Sequence, residues 1–269
     1  MMKIKISDTL FAHAKFSTDY QESKHIEWDR SIVNLNDDIV FYTDNSLKTV
    51  NPDIKNKYAW LLESKEVTRN SYNWISSNNN KFDKVLRYDK ELLDRSENFI
   101  FSPVGGCWIK PEDQMIYNKG KNISIIASNK RMTKGHNLRH EVIRKINNID
   151  VYGRGYNPVD YKLKALKHYR YSIIIENGKF DYYFTEKLID SFITGTIPIY
   201  WGCPSIGDFF NIDGMIIIKS MDDLKRKMYM LNIDTYNEKK DAIFENFNKS
   251  KKFLIAEDYI YKKYLEKND

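Results

Sequence analysis

Residues 171–202 read YSIIIENGKFDYYFTEKLIDSFITGTIPIYWG, and they decide the fold. The apolar run inside YSIIIEN is that of a strand buried on both faces, which belongs to a parallel sheet rather than to a half-exposed antiparallel one. Thr185 is placed to cap a helix, because Leu188, Ile189, Phe192 and Ile193 then share one face and Gly195 closes the helix in the left-handed region. IPIYW (197–201) is the next strand. Strand, helix and strand in this order make a parallel βαβ unit, with Glu176 and Asn177 at the carboxyl end of the first strand, where open α/β sheets bind ligands.

The same alternation extends in both directions. Upstream, NISIIAS (122–128) reads as a strand, NLRHEVIRKINN (137–148) as an amphipathic helix, DVYG (150–153) as a strand and VDYKLKALKHY (159–169) as a helix; downstream, GMIIIKS (214–220) is a further strand. In the first part of the chain, KIKIS (3–7), DDIVFYTD (37–44), KYAWLLES (57–64), DKVLRYD (83–89) and NFIFSPV (98–104) read as strands. VTRNSYNWISS (67–77) and KELLDRS (90–96) read as helices. A turn-rich passage, 105–122, separates the two series, and the pattern restarts after it. The expectation is an α/β protein of two Rossmann-like lobes, residues 1–110 and 111–269, facing each other across a cleft. The tail from about NEKKDAIFENFNK onward reads as helix and is expected to belong with the second lobe, or to cross back onto the first.

Composition narrows the function classes. A chain of 269 residues with 42% hydrophobic content can bury one large core or two small ones. No apolar run approaches the roughly 18 residues of a membrane span, and MMKIKISDTLFAHAK lacks the apolar segment of a signal peptide, so a soluble, cytoplasmic protein is expected. Cys107 and Cys203 form no metal or redox motif and read as free thiols of a reducing compartment. A formal charge of +6 favours an anionic ligand, but 43 basic residues against 37 acidic ones is a mixed surface. Because no helix face gathers the basic residues, a nucleic-acid partner is not expected.

The chemistry is concentrated at two helix openings. Glu186 and Lys187 fall in the first turn of the helix at 185–194. A cation there opposes the helix dipole unless an anion is also present, and lysine with free N–H groups describes a phosphate clamp. Upstream, SNKRMTKGHNLRHEVIRKI (128–146) brings Lys130, Arg131 and Lys134 in a loop and Arg139 at the start of a helix. A guanidinium fork matches phosphate oxygens, so Arg139 and Lys187, on the same edge of one sheet, can share a diphosphate. Taken singly, each is more readily a solvated surface charge, and it is their convergence that favours the anion site. No Asp-x-Asp or P-loop occurs, and GRGYNP (153–158) lacks the third glycine of a dinucleotide fingerprint. His136 and His140 have zinc-helix spacing without the glutamate of H-E-x-x-H, so no metal is expected.

The order ASN…R, then Y-x-I-x-x-EN, then YFTEKLxDSxxxGTIPIYWGxPSIxxFF, resembles the carboxyl-terminal lobe of the α1,3-fucosyltransferases over residues 122–212. That resemblance implies an inverting glycosyltransferase of the two-lobed GT-B fold that takes GDP-fucose as donor and a glycan hydroxyl as acceptor, with no cofactor required. It implies that Arg139 and Lys187 hold the diphosphate, that Glu186 accepts from the ribose hydroxyls, and that Asn177 and Tyr183 contact the nucleotide sugar. Glu176 is expected beside the same crevice, in the donor-binding set. By the same resemblance a first-lobe glutamate following a strand is the general base; Glu63 is the choice, with Glu66 the runner-up. Another nucleotide-sugar donor, or a silent nucleotide- or sugar-binding module that has lost the base, are the alternatives.

Overall fold

The computed structural model describes residues 1–266 and contains two parallel sheets. The first is built from β1 (Met2–Ser7), β2 (Ile26–Asp29), β3 (Ile39–Thr43), β4 (Asn56–Trp60), β5 (Lys84–Arg87) and β6 (Phe99–Phe101), in the order β2-β1-β3-β4-β5-β6. The second contains β7 (Lys121–Ile126), β8 (Asp150–Tyr152), β9 (Tyr169–Ile175), β10 (Ile197–Trp201) and β11 (Ile216–Ile217), in the order β11-β10-β9-β7-β8. All neighbouring strands pair in parallel. Helices α1 (Arg69–Asn78) and α2 (Lys90–Leu93) accompany the first sheet. Helices α3 (Lys134–Lys145), α4 (Glu186–Ile193), α5 (Met221–Met228), α6 (Ile233–Asn237) and α7 (Lys240–Ser250) accompany the second, and α8 (Ala256–Ile260) follows. This is the expected α/β architecture of two Rossmann-like lobes.

The β9–α4–β10 unit forms as its residues dictate. Ile173, Ile174 and Ile175 are buried, as a strand covered on both faces requires. Thr185 caps α4, its Oγ1 accepting from the Lys187 amide, and Gly195 follows the helix with φ of +69°. Leu188, Ile189, Phe192 and Ile193 all lie in the core.

Two sequence expectations are corrected. Residues 159–169 form one short 3-10 turn, Lys162–Ala165, not a helix, and Tyr169 already belongs to β9. Leu163, Ala165 and Leu166 are buried and supply an apolar spacing, but the Ala165 carbonyl accepts from the Ser124 hydroxyl and the Leu166 carbonyl from Lys119 and Thr196, so these groups tie the segment to the sheet instead of continuing a helix. Strand β2 was not expected at all. It has four residues, with only Ile26 and Trp28 inward, and it exists because its backbone pairs with β1.

The end of the chain returns to the first lobe. Ile255, Ala256 and Ile260 pack with Ile4, Ile26, Phe41 and Trp60. The Glu257 carboxylate is fully buried and accepts from the Ser17 amide at 2.8 Å, the Ser17 hydroxyl at 2.7 Å and the Trp28 indole N–H at 3.0 Å. The lobes also meet directly: Tyr88 of the first packs on Tyr183 of the second, with ring centroids 4.8 Å apart, and Phe101 stacks on Phe209 at 5.6 Å. Among the described residues no helix is long and apolar enough to cross a membrane.

Candidate active site

Strands β7 and β9 are neighbours, yet the chain leaves β7 toward β8 on one side and leaves β9 toward β10 on the other. The crevice opened by such a reversal is where ligands bind in open α/β sheets, and here both helices that follow these strands begin beside it. Thr133 caps α3, its hydroxyl accepting from the His136 amide at 3.2 Å. The first turn of α3 lies directly on the end of β9. The Gly135 amide donates to the Asn177 carbonyl at 3.0 Å, and a Cβ at Gly135 would stand 1.7 Å from the Glu176 carbonyl oxygen. Only glycine permits that approach, because the obstacle is backbone. Gly135→Ala is therefore expected to push α3 off the strand and cost about 3 kcal/mol, a fall in Tm of roughly 6–10 °C. A thermal melt equal to wild type would show that the helix does not dock this closely.

Close docking carries Arg139 to the rim. Its Nε and Nη2 donate to the Ile175 carbonyl at 2.9 and 2.5 Å, and Nη2 also donates to Asn177 Oδ1 at 3.1 Å. Arg139 is 5% exposed, and among the described residues no ion pair closes on its guanidinium. Burial lowers its pKa from the usual arginine value, opposed by the charges of Glu176 and Glu186, but the group stays a cation.

At the neighbouring opening, Glu176 is fully buried beneath α4. Its Oε1 accepts from the Thr185 amide at 2.9 Å and its Oε2 from the Thr185 hydroxyl at 2.8 Å. Lys187 Nζ lies 3.8 Å from Glu176, 3.2 Å from Glu186 Oε1 and 3.0 Å from Thr185 Oγ1. Part of the anion that a lysine at this helix end demands is thus the protein's own. Glu176 is a correction to the expected donor-binding set: both carboxylate oxygens are committed to the cap, no part of it is exposed, and it positions Thr185 and Lys187. Burial pushes its carboxyl above the usual range, with Lys187 and the Thr185 hydrogen bonds opposing.

A cavity of about 400 Å³ spans the cleft, and Glu63, Arg139, Asn177, Tyr183, Glu186 and Lys187 all line it. The two cations expected to share a diphosphate therefore face one hollow. Lys162, Asp190 and Trp108 complete one wall, and sequence reasoning missed them. Lys162 Nζ reaches Glu186 at 3.3 Å and Asp190 at 3.1 Å and sits 4.1 Å above the Trp108 ring. Burial alone would lower the Lys162 pKa; Asp190 and Glu186 outweigh it and raise it to about 12. Burial likewise works to raise the Glu186 carboxyl, but the ammoniums of Lys187 and Lys162 hold it well below the usual carboxylate range. Glu186 is an ionised acceptor.

His136 senses the sign of the field. Burial and the charges of Arg139, Lys130 and Lys187 push its imidazolium down to about 4, so it is neutral near the cavity wall. Its Nδ1 pairs with Thr133 Oγ1 at 2.8 Å, while His140 Nδ1 pairs with the Tyr156 hydroxyl at 2.5 Å. The two histidines do not converge, and among the described residues no group of three His, Cys, Asp or Glu side chains is placed to hold a metal.

The two base candidates separate. Glu63 follows β4, is half-buried and lines the cavity. Burial raises its pKa from the usual glutamate value, opposed by Lys187 and by the Ser64 amide. Glu66 instead reaches across the cleft, its Oε2 accepting from the Lys134 amide at 3.0 Å. It is a cap on α3 supplied by the other lobe.

Comparison with known proteins agrees with this architecture. A model of glycosyltransferase family 10 (fucosyltransferase), C-terminal part, matches residues 116–258. The α-(1,3)-fucosyltransferase FucT of Helicobacter pylori is 34% identical over 94 residues, 34% of this chain and 20% of that protein. A putative fucosyltransferase-like protein of Arabidopsis thaliana is 34% identical over 125 residues, 43% of this chain and 24% of its own. The matched segments thus take in a quarter or less of the curated relatives' length. Among solved structures, an α1,3-fucosyltransferase aligns with a TM-score of 0.57 at 20% identity, over 91% of this chain and 80% of that one. A crystal structure described as α1,3-fucosyltransferase with GDP-fucose aligns at 0.54, also at 20% identity, over 91% and 82%. At that identity the likeness establishes the two-lobed GT-B fold. The family model matches more than half of the 269 residues, and the chain belongs to glycosyltransferase family 10, the fucosyltransferases.

Proposed function

We propose that the protein is an inverting glycosyltransferase that moves fucose from GDP-fucose to a hydroxyl of a glycan acceptor. The observation that carries this reading is Arg139: a buried guanidinium that makes no ion pair among the described residues and faces the same hollow as Lys187. Burying a cation is costly unless an anion meets it, and a diphosphate at the β7–β9 crevice would add to the help that the Ile175 carbonyl and the more distant Glu176 and Glu186 charges give. On this reading Arg139, Lys187 and the first amides of α4 stabilise the charge that builds on the departing diphosphate. Glu186, held ionised by Lys162 and Lys187, accepts from the ribose hydroxyls. Asn177, oriented by Arg139, and Tyr183, wedged against Tyr88, border the sugar. Glu63 removes the acceptor proton from the opposite side of the cleft, so attack comes in line with the leaving group and the anomeric configuration inverts.

The donor is assigned to the second lobe, residues 111–269, and the acceptor to the first, residues 1–110. No metal is required, because side-chain cations already supply the charge beside the diphosphate. Two buried free thiols, Cys107 and Cys203, suit action in the reducing cytoplasm.

A thermal-shift screen against GDP, UDP and CMP with their sugars tests the donor. A ligand at about 100 times its Kd stabilises the fold by about 2.7 kcal/mol, a rise in Tm of roughly 5–10 °C. GDP and GDP-fucose are expected to give that rise. A response confined to uridine nucleotides would overturn the donor and leave the fold untouched.

A further inference from the structure

The loop that carries Glu63, residues 61–68 between β4 and α1, is held by a carboxylate that the transfer chemistry does not use. Asp44 begins the short 3-10 turn after β3, is 1% exposed, and has φ of +27°, a backbone region that a non-glycine residue adopts only when its surroundings enforce it. Its Oδ2 accepts from the Leu62 amide at 3.0 Å and its Oδ1 from the Thr68 hydroxyl at 3.1 Å. One side chain therefore spans both ends of the loop, and Glu63 hangs between the two bonds. Two further bonds fix the loop: the Tyr72 hydroxyl donates to the Glu63 carbonyl at 2.7 Å, and the Lys65 amide donates to the Tyr88 hydroxyl at 3.1 Å.

Asp44 is an expensive way to hold a loop. Burial pushes its carboxyl up to about 7, opposed by the Leu62 and Thr68 hydrogen bonds and reinforced by the charge on Glu63. Among the described residues no cation pairs with it. The charged groups facing Glu63 itself are Lys187 and Lys130, which favour its ionised form, and Glu186, which opposes it. A strained, buried, unpaired carboxylate bound to the two residues that bracket a cavity-lining glutamate points to a task at that glutamate.

We propose that Asp44 is a positioning residue which, through the Leu62 amide and the Thr68 hydroxyl, fixes the 61–68 loop so that the Glu63 carboxylate is aimed into the cavity. The proposal rests on the reading of Glu63 as the base. It assigns to the first lobe a support that stands behind the base and touches neither donor nor acceptor.

The test uses hydrolysis of GDP-fucose by the full chain, with water as acceptor, so that no glycan need be known. Asp44→Ala is expected to lower kcat at least tenfold while leaving the Kd for GDP within about threefold, a split that general unfolding would not produce. Asp44→Asn, whose Oδ1 still accepts from Leu62 and whose amide can donate to Thr68, should restore most of the rate. In a Glu63→Gln background Asp44→Ala should cause no further loss, since a residue that acts through Glu63 has nothing left to act on. Thr68→Val, which removes one of the two bonds at nearly constant volume, should lower kcat severalfold and be equally silent in that background, and it stands in if Asp44→Ala does not fold. Wild-type turnover in Asp44→Ala, or an equal further loss in Glu63→Gln, overturns the inference. Full activity of Glu63→Gln, or no turnover by the wild-type chain, instead sinks the function on which it rests.

Discussion

Glu63→Gln should lower turnover of GDP-fucose by about 10²- to 10⁴-fold, the range associated with loss of a general base, while GDP binds as before. The expectation follows from where the side chain stands. Glu63 emerges after a strand of the first lobe, lines the shared cavity with the second-lobe cations, and among the described residues pairs with none of them within ion-pair distance. Half-buried, it is more basic than a surface glutamate; burial raises its pKa, opposed by Lys187, the Ser64 amide and Lys130. A base works in its ionised form, so the rate must fall as pH drops through this raised pKa, and the acidic limb of kcat/KM should lie above the ordinary glutamate value. Glu66→Gln is the control. Its carboxylate caps α3 from across the cleft, and a glutamine oxygen can still accept from the Lys134 amide, so turnover should change only modestly. If the two variants exchange these phenotypes, the runner-up is the base. If neither loses activity, proton removal belongs to another group.

What could be read from the amino-acid sequence divides by the range of the forces involved. Residues 171–202 were legible because each determinant is local: an isoleucine run, a threonine cap, an amphipathic helix and a glycine at positive φ lie within one continuous stretch. The convergence of Arg139 and Lys187 was legible for the same reason, since helices that follow neighbouring parallel strands must open at the same edge. Lys162 was not. It sits in a segment whose apolar spacing suggests a helix, and its partners Glu186 and Asp190 come to it only after the sheet has formed. Glu176 was placed at the right edge but given the wrong task, because a carboxylate at a strand end looks alike in sequence whether it meets a ligand or a neighbouring helix. The return of Glu257 to Ser17 and Trp28 joins residues more than 200 positions apart, and no periodicity encodes such a contact.

Removing the charge of Lys187 should abolish most of the stabilisation by GDP. A charge-assisted hydrogen bond is worth about 1.5–3 kcal/mol, so Lys187→Ala should weaken GDP binding roughly 10- to 150-fold. At a concentration of GDP that is 100 times the wild-type Kd, a hundredfold loss leaves about 0.4 kcal/mol of the original 2.7, a Tm increment of roughly 1 °C. The increment is the quantity to read, not the absolute Tm. Lys187 Nζ also lies 3.8 Å from the buried carboxylate of Glu176, so the variant exposes that charge to its full burial cost and melts lower with no ligand present. Arg139→Lys tests the other half of the pair. It keeps a cation but loses the fork that holds the Ile175 carbonyl, Asn177 and one face of the anion together, and an ammonium cannot reproduce that planar geometry. Guanosine separates the diphosphate from the rest of the donor. Its affinity should fall far less than that of GDP in both variants, because it carries no phosphate for either side chain to meet. Equal losses for guanosine and GDP would mean that the pair shapes the pocket without touching the diphosphate, and the electrostatic account of the leaving group would then have to be abandoned.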